Sequence, residues 1–147
     1  MGPKDHRSID VVATCECGAV TVALRGHVTS MFQCSCLHCQ KTSGGGHSSV
    51  ILVPTEALLS TGTTKSYSRP ADSGATFTRH FCPECSTTVY AKSSRAPSLC
   101  IVPVGLLAGQ NNWFDPSQLI FAVTQPAWDL VHEVLPRHDA YRVDETR

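Results

Sequence analysis

The sequence has little charge. Charged residues make up 16% of its 147 positions, against roughly 25% in an average globular chain. With 41% hydrophobic residues, that deficit argues against a disordered, tail-like protein, which carries more charge and fewer apolar groups. There is no net charge either, because twelve Lys+Arg meet twelve Asp+Glu. A chain without excess cations has no electrostatic footprint for a phosphate backbone, so nucleic-acid binding is disfavoured as the main role. Long apolar runs are missing. The longest, Leu99 to Ala108, is broken by Pro103 and is too short to span a bilayer, so no membrane partner is expected. The opening stretch MGPKDHRSID has no apolar core of a signal peptide, and His6 stands where N-myristoylation wants Ser or Thr. Internal repeats and low-complexity segments are absent. The one glycine run, Gly44-Gly45-Gly46, lacks the Lys-Ser/Thr sequel of a phosphate loop. At roughly 100–200 residues per domain, the length leaves room for one domain.

What the sequence does have is cysteine, eight in all. Such a count fits a disulfide-stapled secreted chain or a metal protein in a reducing compartment. The missing signal peptide favours the second. So does the length, which exceeds the ~100 residues of most disulfide scaffolds. We therefore expect a cytoplasmic protein with reduced or metal-bound thiols.

The periodicity is mostly that of strands. Ala19 to Arg25 alternates, with Val20, Val22 and Leu24 on one face. Ile9–Cys15, Ser49–Val53, Thr63–Ser68, Ala75–Phe81, Thr87–Lys92, Leu99–Val104 and Ser117–Thr124 read as further strands, separated by Gly, Pro, Asn and Ser. Thr55–Leu59 and Trp128–Leu135 read as short helices. The tail Val143 to Arg147 is polar and is expected to fray. The fold class is mainly β, with little helix.

Seven cysteines fall into three groups: Cys15-x-Cys17, Cys34-x-Cys36-x-x-Cys39 and Cys82-x-x-Cys85. On a strand, residues i and i+2 share a face, so Cys15 and Cys17 can offer two sulfurs to one ion. The Cys82–Cys85 turn presents two more, and two such pairs make a closed four-thiolate zinc site. The middle trio can wrap an ion alone. Seven ligands thus divide naturally into four plus three, and three ligands leave the open position of a catalytic zinc. Spacing also allows other divisions. One middle cysteine can join Cys15 and Cys17, or His38, His47 or His80 can close the trio as a second structural site.

In this order the groups resemble the glutathione-dependent formaldehyde-activating enzyme family, which includes relatives of centromere protein V. The matching pieces are Cys15-x-Cys17-Gly18-x-Val20, Cys34-x-Cys36-x-x-Cys39-x-Lys41-x-Ser43-Gly44 and Arg79-His80-Phe81-Cys82-x-x-Cys85, followed by Thr88 and Tyr90. Val104-Gly105-Leu106-Leu107, Pro116, Ile120-Phe121, Trp128 and Leu135-Pro136 match more weakly. The resemblance covers about residues 9–138 and implies a single zinc domain over 1–147. It implies a β-tent fold of small twisted antiparallel sheets around the zinc sites. It also implies two zincs per chain: a structural one on Cys15, Cys17, Cys82 and Cys85, and a catalytic one on Cys34, Cys36 and Cys39. The implied activity is that of a carbon–sulfur lyase. It would form or cleave a C–S bond between a thiol such as glutathione and an aldehyde or other small-molecule carbon, a thioether included. Three positions depart from the family pattern. Ser86 stands where glycine usually follows the last cysteine, at a turn position that prefers φ > 0. Gln40 replaces a common basic residue, and His47 an apolar or aromatic one.

Other residues are weighed singly. His47, following the glycine run, is the candidate acid/base group. His80 is expected to orient a ligand or strand, and His38 to point outward. Cys100 reads as a buried small hydrophobe rather than a ligand. Trp113, Phe114 and Trp128 read as core or pocket lining. The rival to an enzyme is a non-catalytic, zinc-stabilised β-tent interaction module, against which the intact trio counts. Unpaired sheet edges make a homodimer an additional expectation.

Overall fold

The computed structural model describes residues 7–141; the tail Val143 to Arg147 lies outside them. In chain order the elements are β1 (Arg7–Thr14), β2 (Thr21–Val28), β3 (Ser30–Cys34), α1 (Leu37–Ser43), β4 (Ser48–Pro54), β5 (Leu58–Thr61), β6 (Lys65–Pro70), β7 (Thr76–Phe81), β8 (Thr88–Ser93), β9 (Leu99–Pro103) and β10 (Leu119–Ile120), with short 3₁₀ turns at Thr55–Ala57, Val104–Leu107 and Ala122–Thr124. The protein is mainly β with little helix, as its periodicity and resemblance predict. Two compact units form: one from Met1–Ser30 with Ile51–Trp113, the other from Met31–Val50 with Phe114–Arg147.

The first unit carries the antiparallel sheet β1-β2-β5 and the antiparallel run β9-β8-β7-β6. Alternation sets its core. Val20, Val22 and Leu24 are fully buried, and Ile9 and Ala13 of β1 are buried with them. Val89 and Ala91 of β8 and Cys100 and Val102 of β9 fill the other sheet. Burial of each Val or Leu here contributes about 1.5–3 kcal/mol. In the second unit β10 pairs with β3 in parallel, with Ile120 opposite Cys34.

Five elements differ from the sequence expectations, the first being β3, a strand over Ser30–Cys34 that the periodicity does not mark. Thr55–Leu59 is a single 3₁₀ turn over Thr55–Ala57 that leads into β5. Ser117–Thr124 shrinks to the two residues of β10 and a 3₁₀ turn. Trp128–Leu135 is not helical. Instead the Arg137 guanidinium donates to the carbonyls of Val131, His132, Glu133 and Leu135, and Leu135 N–H closes a turn on His132 O at 3.0 Å. Conversely, the cysteine loop Leu37–Ser43 is an α-helix.

Candidate metal centres and the adjoining histidine

Two turns build the first centre. The β1–β2 turn is closed by Cys15 N–H to Val20 O and Gly18 N–H to Cys15 O, each 3.0 Å. A matching turn after β7 is closed by Cys82 N–H to Thr87 O at 3.0 Å and Ser86 N–H to Cys82 O at 2.9 Å. In each, the residue after the second cysteine is left-handed: Gly18 at φ 82° and Ser86 at φ 62°. The expected positive φ at Ser86 is therefore present, on a residue with a Cβ. Cys15 and Cys17 meet through this turn and not through the pleat of a strand, because β1 ends at Thr14. A register shift in β7 between His80 and Phe81 precedes Cys82, as bulges often do where a strand must re-aim a functional side chain.

The four sulfurs come together, all within 4.8 Å of one another. Cys17 Sγ lies 3.7 Å from both Cys15 Sγ and Cys82 Sγ. A tetrahedral zinc with bonds of ~2.3 Å needs sulfur–sulfur edges of about 3.8 Å, so the donor set fits that ion. All eight cysteines are unbridged. Backbone donors reach two of the sulfurs: Val20 N–H lies 3.2 Å from Cys15 Sγ and Glu84 N–H 3.4 Å from Cys82 Sγ. Thr87 joins the two turns. Its hydroxyl lies 3.2 Å from Cys85 Sγ and accepts from Glu16 N–H at 3.1 Å. The Thr87 hydroxyl and then its backbone N–H pull the Cys85 thiol down to about 5. Nothing local in the sequence marks Thr87 for this role.

The second centre sits at the start of α1. Cys36 is the helix N-cap, and its Sγ accepts from Cys39 N–H at 3.3 Å. Cys39 is thus one turn on, facing back. Cys34 ends β3 and is buried. The three sulfurs lie within 4.8 Å of one another, and among the described residues no further Cys, His, Asp or Glu joins them. The thiols of Cys34 and Cys39, with the backbone N–H groups of Cys39 and His38, drive Cys36 down to about 2. Cys34, which donates to those neighbours and is buried, is pushed up. The thiol of Cys39 is likewise raised, to about 11, although its contact with Cys34, the largest influence on it, pulls the other way; contact with Cys36 and burial drive the rise. Two protons are thus held among three crowded sulfurs, a set that a divalent cation can take over by displacing them. The Ser35 hydroxyl, between Cys34 and Cys36 in the chain, is buried and has no hydrogen-bond partner among the described residues. Gln40 anchors the helix by donating to the carbonyls of Ser35 and Thr124, both at 2.9 Å. The neutral amide suits this double contact, where the family's more common basic residue would bring a charge.

The residues predicted singly fall as follows. His38 is exposed on α1. Cys100 is 1% exposed and belongs to neither sulfur group. His80 stacks on its cross-strand partner Tyr90, ring centroids 4.4 Å apart. Trp128, expected in the core or a pocket, is 68% exposed. His47 lies in the same unit as the trio but outside its sulfur cluster. Its Nδ1 is 2.7 Å from Asp129 Oδ2, and its Nε2 is 3.2 Å from the Gln33 amide nitrogen. That amide also donates to Ser49 Oγ at 3.1 Å. Gln33 immediately precedes Cys34, and Ser48, next to His47, donates to Cys39 O at 3.2 Å.

The sequence profile of the glutathione-dependent formaldehyde-activating enzymes matches residues 10–124. The chain belongs to this family. The match spans all seven clustered cysteines, so membership in the family and the pairing of those cysteines in space agree. No curated protein matches the chain. Among solved structures, a Rhodobacter sphaeroides protein determined by structural genomics is similar in fold. It has a TM-score of 0.55 at 18% identity, covering 70% of this family member and 93% of that chain. Among the described residues no helix is long and apolar enough to cross a membrane.

Proposed function

We propose that this protein is a zinc-dependent carbon–sulfur lyase that joins a small thiol, glutathione or a relative of it, to an aldehyde carbon, or cleaves such an adduct. One observation carries the reading. Within a member of this family, three thiols converge with no fourth protein ligand among the described residues, in the same compact unit as a carboxylate-supported histidine. In this reading Cys15, Cys17, Cys82 and Cys85 hold a structural zinc, and Cys34, Cys36 and Cys39 hold the catalytic one. The catalytic zinc, when bound, supplies an electrophilic centre that favours the thiolate form of an incoming thiol.

His47 moves the proton. In synthesis its Nε2 takes the proton of the substrate S–H, and the Gln33 amide yields that position to the substrate. The thiolate electron pair forms the S–C bond, and the C=O π pair moves onto oxygen. His47 then returns the proton to the alkoxide, so thiol plus aldehyde gives hydroxyalkyl thioether with nothing left over. Cleavage runs the same steps backwards. A reducing, cytoplasmic setting suits free thiol ligands.

The test begins with zinc per chain by elemental mass spectrometry, before and after dialysis against glutathione. Two zincs, one of them exchanged by the thiol, are expected. Turnover of glutathione with formaldehyde, followed by NMR exchange, is expected to fall at least tenfold in His47→Ala with zinc unchanged. A single zinc indifferent to glutathione would instead support the interaction-module reading.

A further inference from the structure

Asp129 is 11% exposed at its side chain and sits against His47 Nδ1 at 2.7 Å. Its own backbone is pinned: Asp129 N–H donates to Pro126 O, and Gln125 Nε2 donates to Asp129 O, both at 3.0 Å. Gly46 gives it room, since a Cβ at that residue would overlap the Asp129 carboxyl group. A carboxylate only accepts, so the proton between the two belongs to Nδ1. Nε2 is then a lone pair, which is what the Gln33 amide N–H₂ requires of it. The other amide hydrogen goes to Ser49 Oγ. Each hydrogen that links one of these four residues to the next thus has one consistent place, and Asp129 starts the chain.

We propose that Asp129 is the positioning residue for His47: it fixes the Nδ1–H tautomer and so makes Nε2 the ring's working nitrogen. The inference rests on the proposed acid/base role of His47 and deepens it. Asp129 touches no reacting atom. Its effect passes through the imidazole, by orientation and tautomer. Asparagine at 129 keeps the shape but offers an N–H₂ to Nδ1, which reverses the tautomer. The ring then carries its proton on Nε2, where it has no lone pair to take the thiol proton.

The experiment is nitrogen NMR of isotope-labelled histidine in the zinc-loaded chain at neutral pH, with glutathione and formaldehyde turnover alongside. Wild type is expected to show His47 protonated at Nδ1, and Asp129→Asn to show it protonated at Nε2, both with full zinc. Turnover in Asp129→Asn is expected to fall tenfold or more at a KM within about twofold, and adding Asp129→Asn to His47→Ala is expected to cost nothing further. An unchanged tautomer in Asp129→Asn overturns the proposal. So does a loss that adds in full to that of His47→Ala. If the tautomer reverses but His47→Ala is fully active, the hold of Asp129 on the ring stands and the acid/base role fails, taking with it any catalytic purpose for Asp129.

Discussion

Gly46 and Asp129 share one space: a side chain at 46 would fall on the aspartate's carboxyl carbon. The glycine run therefore has separate jobs at its positions. Gly44 is the left-handed C-cap of α1 at φ 75°, with its N–H on Gln40 O. Gly46 admits the carboxylate that supports His47. A Cβ at Gly45 would meet nothing closer than Ser43 Oγ at 3.9 Å. Gly46→Ala is accordingly expected to displace Asp129, cost about 1–3 kcal/mol of stability and lower turnover as Asp129→Asn does. Gly45→Ala is expected to stay within ~0.5 kcal/mol of wild type. Thermal melts and turnover of the two variants check this, and equal behaviour of the pair would remove the steric argument.

Ser86 spends backbone energy where its counterpart Gly18 does not. At φ 62° a residue with a Cβ costs roughly 1–2 kcal/mol, offset in part by its hydroxyl donating to Cys85 O at 2.6 Å. Alanine keeps the strain and loses the bond; glycine loses both. Ser86→Gly is expected to be about 1 kcal/mol more stable than Ser86→Ala, read by denaturant unfolding of the zinc-loaded chain. If the two are equal, the turn is not strained at this position.

Much of the site was legible from ligand chemistry. The four-plus-three division follows from spacing and family resemblance because cysteines in short turns have few geometries that bring sulfurs together. The buried face of Val20, Val22 and Leu24 follows from simple alternation. The helix α1 was hidden because its N-cap is Cys36, outside the usual Ser, Thr, Asp and Asn, so the C-x-x-C spacing read as a loop. Gly44 after Lys41 was the available signal. Asp129 was hidden because it lies 82 residues from His47 and its pairing leaves no local pattern. Trp128–Leu135 misled because its apolar spacing suits a helix, yet Leu130 is 92% exposed. With no core face to bury, so short a helix does not pay its nucleation cost.

Thr87 ties the two turns of the first centre through one hydroxyl, which donates to the Cys85 sulfur and accepts from Glu16 N–H. Valine has nearly the same shape and neither function. Thr87→Val is expected to weaken zinc at this centre by about 1 kcal/mol, seen as roughly fivefold faster loss of that zinc to a chelator. Zinc at the Cys34, Cys36 and Cys39 centre is expected to leave at the wild-type rate. Equal loss from both centres, or from neither, would show that the hydroxyl does not support Cys85.

The alkaline limit of stability belongs to another cysteine. Burial pushes the Cys100 thiol above its ordinary 9.0. Burial, with a smaller contribution from charge on Cys100, pushes Tyr90 above 10.0. Both groups are acids whose neutral form the fold prefers. Their contribution is fully present below the unfolded values and is lost as pH rises through the raised folded ones, because the unfolded chain ionises first. Stability is therefore expected to fall steadily above pH 9.0. Cys100→Ala is expected to cost about 1 kcal/mol at neutral pH by leaving a small void, and then to decline less steeply than wild type on the alkaline side. The measurement is denaturant unfolding across that range. Parallel curves for the two proteins would mean that ionisation of Cys100 has no part in the alkaline transition.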